Sequence, residues 1–179
     1  MQIRWWRSTL RRNRWLATLV LILALAGLQW LQQSTGGSGN VPAEGVSGQP
    51  RLVDGDSFHL GREEVRLVGI DAPEGRQSCT RGGVNWPCGE ESRRTLARLI
   101  GGRLVSCRAV ERDQHGRLLG VCTVEGRELN REMVASGLAL AYGNYEREEA
   151  AARAAKRGLW SGEFERPRDW RRQHGRGRD

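Results

Sequence analysis

The stretch Leu52 to Glu74 reads LVDGDSFHLGREEVRLVGIDAPE, and its turn signals cut it into three strands. Asp54-Gly55 is a tight-turn dipeptide between residues that alternate in and out of a sheet, Leu52 and Val53 before it, Phe58 and Leu60 after it. A second turn at Gly61-Arg62 leads into the aliphatic run Val65 to Ile70. That run stops at Asp71-Ala72-Pro73, because proline cannot continue a central strand. An up, down, up path returns the end of the third strand to the first turn, so Asp56 and Asp71 are expected to face one another. Carboxylates that close repel unless a cation lies between them. Oxygen donors suit a hard ion, calcium or magnesium. Singly, Asp-Gly-Asp is a solvated turn and Asp-Ala-Pro-Glu a strand exit; their combination on one meander points to a site.

Downstream, Asp113-Gln114-His115-Gly116-Arg117 separates Arg103 to Val110 from Arg117 to Val124, two runs that read as antiparallel strands. A turn centred between residues 114 and 115 sets Cys107 opposite Cys122, which pairs these two and leaves Cys79 to Cys88. The Gly-rich segment Thr80 to Pro87 reads as a loop that Trp86 plugs onto the domain. Apolar residues at helical spacing predict a first helix over Gly89 to Ile100 and a second over Leu129 to Ser136, each ending at glycine. Leu138 to Tyr142 is expected to be extended. A third helix opens at Glu146, Glu148 and Glu149 and closes with Arg153, Lys156, Arg157 and Gly158, charges that suit the helix dipole. Its alanines, Ala150 to Ala152, Ala154 and Ala155, are expected to pack closely on the sheet, with Trp160 and Phe164 capping the core. Five strands and about three helices in this order predict an α+β fold, a five-stranded OB-type barrel, over residues 50–165.

The 179-residue chain has a formal net charge of +8, distributed as +5 over residues 1–31, −1 over 32–165 and +4 over 166–179. The body is close to neutral, so the global charge is weak support for a nucleic-acid surface. Five arginines precede the uncharged apolar stretch Trp15 to Leu31, which at about 1.5 Å per residue spans roughly 25 Å as a helix. It reads as an export signal. Ala24-Leu25-Ala26 offers a cleavage site, while the apolar run beyond it and the flanking tryptophans favour an uncut anchor. Arginines on the N-terminal side leave that end in the cytoplasm and the rest outside it. Residues 32–49 read as a flexible tether and 166–179 as a basic, solvated tail. An even number of cysteines without Cys-x-x-Cys spacing agrees with export.

The ordered set Asp54-Gly55-Asp56-Ser57, Arg66, Asp71-Ala72-Pro73-Glu74 and Asp113-Gln114-His115-Gly116-Arg117 resembles the staphylococcal nuclease family over roughly Gly48 to Trp160. The resemblance implies an OB-fold enzyme in which Asp56, Asp71 and the backbone carbonyl of Ala72 ligate Ca2+. Glu74 would orient the attacking water and act as general base, and Arg66 and Arg117 would clamp the phosphate. It also implies cleavage of DNA and RNA with 3′-phosphate ends. Asp54 is expected to hold the turn. Ser57 and Ala72 stand where the family has threonines, and His115 where it has a tyrosine. His115, Tyr142 and Tyr145 fall near positions that contact nucleotides in the family. The segment between the two aspartate motifs is shorter than the family's.

The expectation is a monomeric, exported, calcium-dependent nuclease acting on DNA or RNA, anchored in the inner membrane through its N-terminal helix with the domain in the periplasm or outside the cell, or secreted if the signal is cleaved. The alternative is an inert OB module that binds nucleic acid or an envelope component.

Overall fold

The computed structural model describes residues 45–174. The expected anchor, most of the tether and the last five residues lie outside the described residues. Among the described residues, no helix is long and apolar enough to cross a membrane.

Barrel closure comes from one bent run of chain. Strands β1 (Val46–Gly48) and β2 (Pro50–Leu52) are separated only by Gln49. β2 pairs with β3 (Ser57–Leu60), which pairs with β4 (Glu63–Leu67), both antiparallel. Strand β8 (Val105–Arg112) pairs with β1 on one side and β9 (Leu118–Val124) on the other. β4 then joins β9 in parallel, with Arg66 beside Leu119. The order β1-β8-β9-β4-β3-β2 therefore begins and ends on the same run, giving a nearly closed five-stranded barrel. The expected tether thus ends earlier than predicted, because Val46–Gly48 is the barrel's first strand.

Phe58, Val65, Leu67, Val105, Leu118 and Val124 alternate inward to fill the barrel. One mouth is closed by Leu96 and Ile100 of α1 (Cys88–Ile100) and by Leu129, Met133 and Val134 of α2 (Leu129–Ala135). Helix α3 (Glu146–Ala154) buries only Ala152 of its alanines, so the close packing on the sheet expected of all five is not made. Among the described residues there are four α-helices where about three were expected; the fourth, α4 (Pro167–His174), lies in the segment read as a solvated tail.

Thr80 to Pro87 is not an irregular loop. β6 (Cys79–Arg81) and β7 (Val84–Trp86) form a hairpin whose turn glycines, Gly82 and Gly83, have φ of 57° and 78°, the left-handed values of a primed turn. The Cys79–Cys88 disulfide fastens this hairpin to the first residue of α1, and Cys107–Cys122 bridges facing residues of β8 and β9. Both pairings are those expected. A β-bulge at Val110 shifts the register between Ala109 and Glu111, so the hairpin turn is centred one half-residue beyond the expected point.

Asn130 of α2 is fully buried and stitches the barrel to the site. Its Oδ1 accepts from Cys122 N–H, and its Nδ2 donates to the carbonyls of Val68 and Gly120. Asn130→Leu strands the Cys122 N–H and the Val68 carbonyl. It is expected to lower unfolding stability by about 3 kcal/mol, read as a shift in denaturant midpoint at constant slope.

Candidate active site

The first turn is locked by its own side chains. Asp54 Oδ1 accepts from Asp56 N–H at 3.0 Å and from the Ser57 hydroxyl at 2.7 Å, so Asp54 holds the turn and Ser57 supplies the needed hydroxyl. Gly55 lies against α1, where a Cβ would overlap the Ser92 hydroxyl; that hydroxyl donates to the Leu138 carbonyl. Asp56 is consequently 2 % exposed.

Leu67 N–H donates to the Asp56 carbonyl, which holds the exit of β4 against the first turn. After the Val68-Gly69 turn, β5 (Ile70–Asp71) pairs with the short strand Leu140–Ala141, setting Asp71 opposite Leu140. Ala72 N–H donates to Asp56 Oδ2 at 2.9 Å. Arg66 Nη2 bridges Asp56 Oδ2 at 3.0 Å and Asp71 Oδ1 at 3.1 Å. The two aspartates thus converge on one guanidinium nitrogen. Burial drives the Asp56 carboxyl well above the usual carboxylate range despite the lowering by Arg66, and Asp54 and Asp71 push in the same direction as burial.

Glu74 is positioned by a small turn of its own. Its N–H donates to Gln77 Oε1, and Gln77 N–H donates back to the Glu74 carbonyl. A Cβ on Gly89, in the first turn of α1, would overlap that carbonyl oxygen, so only glycine fits there. Arg117 follows the Asp113 turn. Asp113 Oδ1 accepts from the backbone N–H groups of His115 and Arg117, while Oδ2 accepts Arg117 Nε at 2.8 Å and lies 2.7 Å from Nη2. Burial raises the Asp113 carboxyl, but these contacts outweigh it and hold the group below its ordinary value.

Arg66, Asp71, Glu74, His115, Arg117 and Tyr142 line one cleft of about 1160 Å³. Tyr145 is not among the lining residues. Its ring packs against the core beneath the Arg131 guanidinium, and burial with a hydrogen bond to Glu128 pushes its phenol up. The residue that sequence reasoning missed is Arg171 of α4. Its Nη1 donates to Glu74 Oε1 at 2.8 Å and its Nη2 to Asp71 Oδ1 at 2.9 Å. The signals for it were present in Pro167 at a first helical position, Asp169 in the first turn and Arg171, Arg172 and His174 in the last.

Among the described residues, no three His, Cys, Asp or Glu side chains converge on a single metal position. The donors that do converge, on Arg66 Nη2, are the hard carboxylate oxygens of Asp56 and Asp71, with the Ala72 N–H holding Asp56 Oδ2 beside them. This set, with one carboxyl buried against its own charge, fits a hard divalent ion that keeps part of its water shell.

The family model for staphylococcal nuclease homologues matches residues 64–162. The succinoglycan biosynthesis protein ExoI of Rhizobium meliloti (strain 1021) is 34% identical over 126 residues, 66% of each chain. The probable staphylococcal-like nuclease CAN2 of Oryza sativa subsp. japonica is 37% identical over 124 residues, 65% of this chain and 31% of that one. A protein of Escherichia coli O157:H7 designated an uncharacterized endonuclease is 36% identical over 122 residues, 62% of this chain and 74% of that one. The chain thus spans about two thirds of the Rhizobium protein and less than a third of the rice nuclease. A family match across more than half of the chain, on a barrel that sets Asp71, Glu74, Arg66 and Arg117 along one cleft with Asp56 buried behind Arg66, gives the conclusion that the chain belongs to the staphylococcal nuclease homologue family.

Proposed function

We propose that the protein is a calcium-dependent nuclease that hydrolyses phosphodiester bonds of DNA or RNA outside the cytoplasm. The observation that carries this reading is the convergence of Asp56 and Asp71 on Arg66, where Arg66 and Asp71 line a cleft shared with Glu74 and Arg117. Two disulfides in a domain of this size support an oxidising compartment, in keeping with the export signal of the N-terminus.

Asp56, Asp71 and the Ala72 carbonyl would hold the ion, which when bound supplies Lewis-acid stabilisation of charge on the phosphate. Arg66 keeps the two aspartates in register. Glu74, fixed by the Gln77 turn, accepts the proton of the attacking water. Arg117, gripped through Nε and Nη2 by Asp113, directs its remaining donors at phosphoryl oxygens, a task suited to a planar fork. His115 and Tyr142 line the same cleft and would stack on bases there.

Asp56→Asn tests the assignment of the ion. The amide oxygen still accepts from Arg66 and Ala72, so the fold is kept while a buried negative charge is removed. In chelator the variant is expected to melt at a higher temperature than wild type. Calcium at about 100 times Kd should stabilise the wild-type protein by about 2.7 kcal/mol and the variant hardly at all. Equal calcium-induced melting shifts in both proteins would remove Asp56 from the ion site.

A further inference from the structure

We propose that Arg171, carried by the C-terminal helix α4, is a positioning residue of the active site that holds Glu74 and Asp71 by one oxygen each. This rests on the nuclease reading above and goes beyond it, since neither aspartate motif nor the Asp113 turn contains this residue. Its fork spans the two carboxylates with Nη1 on Glu74 Oε1 at 2.8 Å and Nη2 on Asp71 Oδ1 at 2.9 Å, across 97 and 100 residues of sequence.

The pattern of oxygens used is what separates positioning from blocking. Asp56 is held through Oδ2, by Arg66 and the Ala72 N–H. Asp71 is held through Oδ1, by Arg66 and Arg171. Glu74 is held through Oε1, by Arg171. Among the described residues no donor takes the second oxygen of any of the three. Each carboxylate therefore keeps one oxygen for chemistry while the other sets its orientation. Asp56 and Asp71 have Arg66 for this purpose; among the described residues the Glu74 carboxylate has only Arg171. Without it, a glutamate side chain carrying several rotatable bonds has nothing to fix its plane.

The helix, which also brings Arg168 to the cleft, is anchored so that Arg171 reaches the two carboxylates. Phe164 packs edge-on against Trp160, with centroids 5.1 Å apart, and the Glu165 carbonyl accepts from Gln77 Nε2 at 2.6 Å. The same Gln77 receives the Glu74 N–H through its Oε1, so one side chain ties the Glu74 backbone to the lead-in of α4. Pro167 is the buried first residue of the helix, and Arg171 returns to the same face one turn later. Arg172, by contrast, pairs with Asp169 on its own helix and does not line the cleft.

The experiment uses the full chain as wild type, Arg171→Ala, Arg171→Lys and Arg172→Ala. For each, single-turnover cleavage at saturating calcium is measured beside oligonucleotide affinity in chelator and the melting temperature. Arg171→Ala is expected to lower the rate about 10- to 100-fold, the loss seen when a residue orienting a catalytic ligand is removed, with oligonucleotide affinity little changed. Arg171→Lys should recover part of the rate, and millimolar guanidinium should partly rescue Arg171→Ala. Arg172→Ala should cleave like wild type. An unchanged rate in Arg171→Ala with a lower melting temperature would reduce the contact to a structural latch. A faster rate would make α4 a blocking arm, and an equal loss in Arg172→Ala would trace the effect to helix stability. Each of these overturns the proposal while leaving the nuclease reading in place. Absence of cleavage by the wild-type protein would overturn both.

Discussion

Arg117→Lys is expected to lower the single-turnover cleavage rate by roughly 100-fold or more, the scale of losing one preorganised donor from an oxyanion-type site, while leaving substrate affinity almost intact. The reason lies in how the side chain is held. Asp113 uses one oxygen on the two backbone N–H groups of its turn and the other on Arg117 Nε and Nη2. The guanidinium plane is set before substrate arrives. Lysine keeps the charge, so attraction to phosphate persists, but a rotating ammonium has neither the plane nor the second prong. The measurement is a rate and an equilibrium affinity taken side by side. Equal rates would exclude Arg117 from catalysis.

Glu74→Gln is expected to cost about 1,000-fold in the same rate, within the range assigned to a positioned general base. This substitution isolates proton acceptance. Glutamine has the same length, its Oε1 still accepts from Arg171 Nη1, and its backbone turn with Gln77 is untouched. Oligonucleotide affinity in chelator and the melting temperature should both stay near wild type. A variant that cleaves within a few-fold of wild type would show that water is deprotonated elsewhere. Gly89→Ala offers a second route to the same residue, because its Cβ forces the Glu74 carbonyl to move without changing any charge.

The parts of the site legible in the sequence were those written in local turn chemistry. Asp54-Gly55 and Asp71-Ala72-Pro73 each mark a chain reversal or a strand end, and a meander has only one way to return its third strand. That placed Asp56 against Asp71 before any contact was known, as Arg66 now shows. The cysteine pairing was legible for a similar reason, since a hairpin fixes who faces whom. There the expected turn centre was displaced, and the bulge at Val110 restored the facing of Cys107 and Cys122.

What stayed hidden depended on contacts between distant segments. Val46–Gly48 joins the barrel through backbone pairing with β8 and shows no apolar alternation of its own. Asn130 is a lone polar residue on an apolar helix face, and nothing local says that it bonds three backbone groups of the barrel. Arg171 sits in a segment whose composition reads as a solvated terminus, and only the path through Phe164, Glu165 and Pro167 brings it onto Asp71 and Glu74. Tyr145, an aromatic near a nucleotide position by sequence, packs in the fold beneath Arg131, a neighbour that local sequence does not announce.

Metal-dependent phosphodiester hydrolysis in this cleft is tested by digesting end-labelled single-stranded DNA, duplex DNA and RNA with calcium and with excess chelator. The expected result is cleavage in calcium that yields 3′-phosphate ends and disappears in chelator. Binding of the same oligonucleotides without cleavage, or cleavage undiminished in chelator, would contradict it.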